Sequence, residues 1–67
     1  MSLAKVTEIT SSSFKSFDDA IQVGINKASR TIEGITGAWI KEQKVTVENG
    51  KIKEYRITMK ITFVLRD

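Results

Sequence analysis

A chain of 67 residues without Cys, His or Pro makes one domain, and association with other copies is the leading support left to so small a core. The missing thiols exclude disulfides and thiolate metal sites, and the missing imidazoles remove the commonest general base and metal ligand. The net charge of +3 comes from 11 basic and 8 acidic residues interspersed along the chain. That is a solvated mixed surface rather than the basic stripe of a nucleic-acid binder.

The first element is LAKVTEIT, residues 3–10, an alternating stretch rich in β-branched residues that reads as a strand. SSSFKS follows as a polar loop. Ser16 is a good N-cap, with Asp19 placed three residues later like the acidic partner of a capping box. From Phe17 to Glu33 the spacing is helical. Phe17, Ala20, Ile21, Gly24, Ile25, Ala28 and Ile32 fall on one side, within an arc of about 140° at 100° per residue. Gly24 on that side costs about 1 kcal/mol relative to Ala, so it marks close packing against a sheet. Gly34 is a natural helix stop.

The second half reads as a hairpin around Asn49-Gly50, a pair suited to the positive φ of a type I′ turn. With a two-residue loop, Val47 faces Ile52, Val45 faces Glu54, Gln43 faces Arg56 and Trp39 faces Lys60. On the other face, Ile40 meets Met59 and Ala38 meets Ile61. Tyr55, Ile57, Met59, Ile61, Phe63 and Leu65 alternate with polar residues, so this set turns to the helix. Ala38 and Ile40 join it. Trp39 then shares the uncovered face with Gln43, Arg56, Thr58 and Lys60, and Val45, Val47 and Ile52 lie there too. Glu42 and Lys44 fall opposite Ile57 and Tyr55, which signals either a bulge or the limit of the helix's cover. The expected fold is α+β, a β-α-β-β unit over residues 1–67, with one helix packed on one face of a three-stranded antiparallel sheet.

Walker A, GxGxxG and GxSxG patterns are absent, and the one paired carboxylate, Asp18-Asp19, suits a helix start. No catalytic residue is assigned. No apolar run approaches the roughly 20 residues of a membrane span. MSLAKVTE lacks the apolar region of a signal peptide, so a cytoplasmic protein is expected. The remaining constellation is Trp39, Gln43, Arg56 and Lys60. Trp offers a π surface and Arg a planar donor fork, while Gln both donates and accepts. Together they suit a flat heteroaromatic or anionic ligand. Trp and Arg are also favoured interface anchors, and a site between subunits would serve both purposes.

The size, the element order, the stretch FDDAIQVGINKASRTI and the ending EYRITMKITFVLRD together resemble the dodecin family over nearly the whole chain. The resemblance implies a hollow homo-oligomer of twelve subunits that stores or buffers a flavin (riboflavin or FMN) between subunits and is not an enzyme. It also implies a ring-stacking Trp early in the second strand and a Gln after the Tyr of the last strand. Aligned without gaps from the helix, those positions are Gly37 and Arg56. Trp39 lies two residues beyond Gly37, on the same face of a regular strand. The implied ligand-binding residues are therefore Trp39, Arg56, Gln43 and Gly37, with weakened flavin contacts. Arg56 adds a preference for a phosphate-bearing flavin. The alternative is a dodecin-like structural or ion-binding assembly without flavin.

Overall fold

The computed structural model of the protein describes residues 3–65. It holds β1 (Leu3–Ser13), α1 (Phe17–Ala28), β2 (Ile35–Glu48) and β3 (Lys51–Leu65). The three strands form one antiparallel sheet in the order β1-β3-β2, and α1 packs across β1 and β3. This is the expected β-α-β-β unit. β3 is central because its alternation is the strongest in the chain, and burying its apolar set gives the largest gain. Ile57, Met59 and Ile61 are fully buried, and Ala20 closes over them from the helix. Ile9, Phe17, Ile21 and Ile25 surround this core, and Phe17 meets Tyr55 edge to face at 5.1 Å.

The helix starts as its sequence dictates. Ser16 is extended, and its side chain accepts the Asp19 N–H at 3.0 Å. The Asp19 carboxylate does not close a capping box. Its Oδ2 accepts from the buried Ser13 hydroxyl at 2.6 Å, and Ser13 Oγ in turn accepts the Lys15 N–H at 2.9 Å. The triple serine is therefore the end of β1, paired with Ile57, Arg56 and Tyr55, and not a loop. Polar side chains extend the strand because the helix start supplies their partners.

Two expectations about the far end of the helix are corrected. The helix ends at Ala28 rather than Glu33. Ser29 Oγ donates to the Ile25 carbonyl at 2.8 Å and Thr31 Oγ1 to the Ala28 carbonyl at 3.4 Å, while the backbone tightens through Arg30 N to Lys27 O and Thr31 N to Ala28 O. Hydroxyl side chains that compete for helix carbonyls, followed by β-branched residues, favour this early stop. Gly34 is consequently not the helix's C-terminal glycine. It has φ of 77°, its carbonyl accepts the Val64 N–H at 3.0 Å, and a Cβ there would lie 2.7 Å from the Val64 carbonyl oxygen. Close approach of two backbones demands glycine.

Gly24 does pack against the sheet, as expected, with Met59 and Ser11 over it. The hairpin loop is also as read, with φ of 54° at Asn49 and 76° at Gly50. Among the described residues, no helix is long and apolar enough to cross a membrane.

Candidate functional site

The hairpin register starts as expected at the loop, where Glu48 pairs with Lys51 and Val47 with Ile52, and returns to it from Ile40↔Met59 to Gly37↔Thr62. Between these points it is shifted by one. The ladder passes from Ile40↔Met59 to Glu42↔Thr58, leaving Lys41 as an extra residue on β2. A second irregularity, between Thr46↔Glu54 and Val47↔Ile52, leaves Lys53 extra on β3 and restores the register. A one-residue slip moves every side chain between to the opposite face. Glu42 and Lys44 thus leave the apolar face, which resolves their awkward placement opposite Ile57 and Tyr55.

The same slip relocates several residues assigned from sequence. Gln43 pairs with Ile57 and Val45 with Tyr55, so Gln43 lies on the helix side of the sheet, away from Trp39 and Arg56. It is not a member of the far-face constellation. Val47 and Ile52 continue the alternation on the helix side. They stand beyond the helix start, which lies level with Tyr55, and remain 63% and 53% exposed. Ala38 and Ile40 do face the helix side, opposite Ile61 and Met59. Both are exposed nonetheless, because α1 covers β1 and β3 and leaves β2 open.

Trp39 is on the far face, opposite Lys60, with 49% of its surface exposed. Gly37 shares that face, opposite Thr62, and a Cβ built on it meets nothing within 4 Å. Arg56 is on the far face as well, opposite Lys44 of β2 and Ser12 of β1. Four residues separate it from Lys60, roughly 13 Å along the strand, so Trp39 and Arg56 share a face without touching. Lys41 reaches across the far face to Glu8 of β1 at 3.2 Å. With both partners about half exposed, that ion pair contributes at most about 1 kcal/mol.

The sequence reading missed two groups beside Arg56. Glu54 Oε1 accepts from Arg56 Nε at 2.7 Å. Its position two residues from Arg56 on an alternating strand, with the opposite charge, was the available signal. Thr46, opposite Glu54, carries an Oγ1 that is buried without a hydrogen-bond partner. The compensated charge of Arg56 weakens the argument that it selects a phosphate. Gly37 fits a flavin only as open space, and Trp39 supplies a half-exposed ring two residues away on the same face. The face thus carries an aromatic platform, Trp39, at one end and a charged donor–acceptor pair, Arg56 and Glu54, toward the other.

Fold and face together define a small open-sheeted α+β chain whose uncovered sheet face carries aromatic and polar side chains. The Dodecin family model matches residues 3–66, and the chain belongs to that family. It is similar to the dodecin from Streptomyces davaonensis, at 32% identity over 98% of this chain and 97% of that one, with a TM-score of 0.94. It is also similar to the calcium dodecin of Mycobacterium tuberculosis, a calcium chelating antigen with a novel calcium-binding site, at 31% identity over 96% and 91% of the two chains and a TM-score of 0.82. A variant of the Thermus thermophilus dodecin superposes with a TM-score of 0.93 over the full length of both chains at 24% identity, which speaks to the fold alone. None of the curated proteins matches.

Proposed function

We propose that this chain assembles into a homo-oligomer, twelve copies being the family number, that binds and buffers a small planar ligand rather than turning one over. A flavin, riboflavin or FMN, is the first candidate, and a cytoplasmic location goes with this reading. The observation that carries it is Trp39, a half-exposed indole on a sheet face that nothing in its own chain covers.

Surface area supports the assembly. The lone chain exposes 5050 Å², against about 4,250 Å² for a compact monomer of this mass. The excess of about 800 Å² is close to what one partner contributes to a standard protein interface. The shape agrees. The radius of gyration is 13.9 Å and the longest dimension 53 Å, whereas a compact chain of this length has a radius near 11 Å. An elongated hairpin with apolar residues on both faces, Trp39 on one and Ile40, Val47 and Ile52 on the other, gains stability by packing against copies of itself.

Flavin affinity is expected to fall below that of a site with a tryptophan at position 37. Stacking of a heterocycle on an aromatic side chain contributes about 1–3 kcal/mol, so losing it weakens binding by roughly fivefold to a hundredfold. Native mass spectrometry and titration with riboflavin and FMN, followed by flavin fluorescence, test the reading. A folded monomer at micromolar concentration overturns the assembly, and no saturable flavin binding at any accessible concentration overturns the ligand. Gly37→Trp, where a Cβ meets nothing within 4 Å in the lone chain, is expected to tighten riboflavin by about fivefold or more.

The similarity to the calcium dodecin of M. tuberculosis keeps an ion-binding assembly as the second reading. Among the described residues, no group of three acidic side chains within one chain is placed to hold a metal ion. A calcium site on these residues would therefore use fewer than three carboxylates of one chain, with carbonyl oxygens, water or a second copy completing the shell. Calcium titration by calorimetry on flavin-free protein distinguishes the two.

A further inference from the structure

We infer that the ion pair between Lys41 and Glu8 is a strap across the uncovered sheet face, and that a planar ligand lying along this face has to open it; this rests on the ligand reading above. Lys41 belongs to β2 and Glu8 to β1, and β3 runs between those strands. A contact between the two side chains therefore passes over β3. Lys41 Nζ lies 3.2 Å from Glu8 Oε1. Glu8 stands in one row with Lys60 and Trp39, so the crossing is on the far face and ends in the row of the indole. The next row, Ile9, Met59 and Ile40, turns its side chains to the helix side and leaves bare backbone on the far face. The crossing lies over this bare row, between the Trp39 end of the face and the Arg56 end.

Two features make the strap able to open. Lys41 is the extra residue of the β2 irregularity, and such residues are released from the ladder and re-aimed. Glu8 has Lys60 directly opposite it in the ladder, so the carboxylate keeps an ammonium beside it when Lys41 swings away. Opening is thus an exchange of partners and leaves no isolated anion. A ring stacked on Trp39 and extending toward Arg56 covers the bare row and displaces the arm. Riboflavin is uncharged and gives Lys41 no anion in return. It binds the open form, and its affinity is reduced by the fraction of chains that are open. With both partners about half exposed, the pair can lower that affinity by up to about fivefold, and added salt weakens the pair.

The test titrates riboflavin against the native chain, Lys41→Met, Glu8→Gln and the double variant at low and high sodium chloride, with the oligomer checked by sedimentation at each salt. Each single change is expected to tighten riboflavin about two- to fivefold at low salt, and the double variant no further, because either change alone releases the strap. High salt should tighten the native chain by a similar factor and leave Lys41→Met unmoved. Weaker binding in the single variants overturns the strap, since it makes Lys41 or Glu8 a ligand contact. Equal affinities with equal salt dependence in native and Lys41→Met protein also overturn it, while leaving flavin binding intact. Absence of riboflavin binding to all four proteins at both salts overturns the strap together with the reading beneath it. Should the variants not assemble, the native chain decides by itself, because an affinity that does not rise with salt overturns the strap.

Discussion

Replacing Gly24 with alanine sets helix propensity against packing, and the structure decides which wins. Within a helix the change gains about 0.8–1.0 kcal/mol. A Cβ at position 24, however, would lie 2.5 Å from Met59 Cε, 3.0 Å from Ser11 Cβ and 3.3 Å from Ser11 Oγ. Carbon pairs are comfortable at about 3.5–4.0 Å, so the first contact is short by about 1 Å and the second by about 0.5 Å. The Met59 methyl is the end of a flexible side chain, yet Met59 is fully buried with Ile57 and Ala20 around it. Ser11 Cβ is anchored directly to β1 and cannot rotate away. Overpacking of this kind costs about 1–3 kcal/mol. Gly24→Ala is therefore expected to destabilise by about 1 kcal/mol net, lowering the urea midpoint with an unchanged m-value. Protein concentration is held fixed, because assembly makes apparent stability concentration-dependent. Met59→Val removes the clashing end, so the double variant should be more stable than the sum of the single changes by about 0.5 kcal/mol or more. A rise in the midpoint for Gly24→Ala would mean that α1 does not approach β1 and β3 this closely.

Three further outcomes are expected. Gly50→Val places a β-branched residue at φ of 76°, a strain of about 1–3 kcal/mol, and should lower the melting temperature by at least about 4 °C; an unchanged melt counts against the two-residue loop. Ser13→Ala leaves the Asp19 carboxylate and the Lys15 N–H without the buried hydroxyl between them and should cost about 1–3 kcal/mol in denaturant unfolding, whereas Ser12→Ala on the exposed face should cost less than about 0.5 kcal/mol. Val47→Asp, at a position 63% exposed in the lone chain, should leave the subunit fold intact by circular dichroism but shift native mass spectra toward smaller species, because it puts an unpaired charge in a desolvated contact; an unchanged oligomer places the interface elsewhere.

The local signals in this chain were strong enough to determine the type and order of its elements, but not where β1 and α1 end. Asn49-Gly50 set the loop because a type I′ turn needs positive φ at both positions, Ser16 set the helix start, and the alternation from Tyr55 to Leu65 set the face of β3. The site was less legible. Trp39 and Gly37 lie where the sequence placed them, because the strand is regular from Gly37 to Ile40. Gln43 does not, because Lys41 is an extra residue on β2 and reverses the pleat beyond it. The polar Glu42 and Lys44 opposite apolar residues hinted at this, but the same pattern also fitted a hairpin running past its helix. An alternating sequence fixes the face of each residue only relative to a register. Where the register slips is decided by packing on both sides of the sheet at once. The same holds for the position of α1. Its apolar side was readable from its spacing, but its lie over β1 and β3, which leaves β2 open, follows from the strand order. The pairing of Glu54 with Arg56 likewise depends on side-chain conformation on an assembled face, and the sequence could supply only the two charges and their spacing.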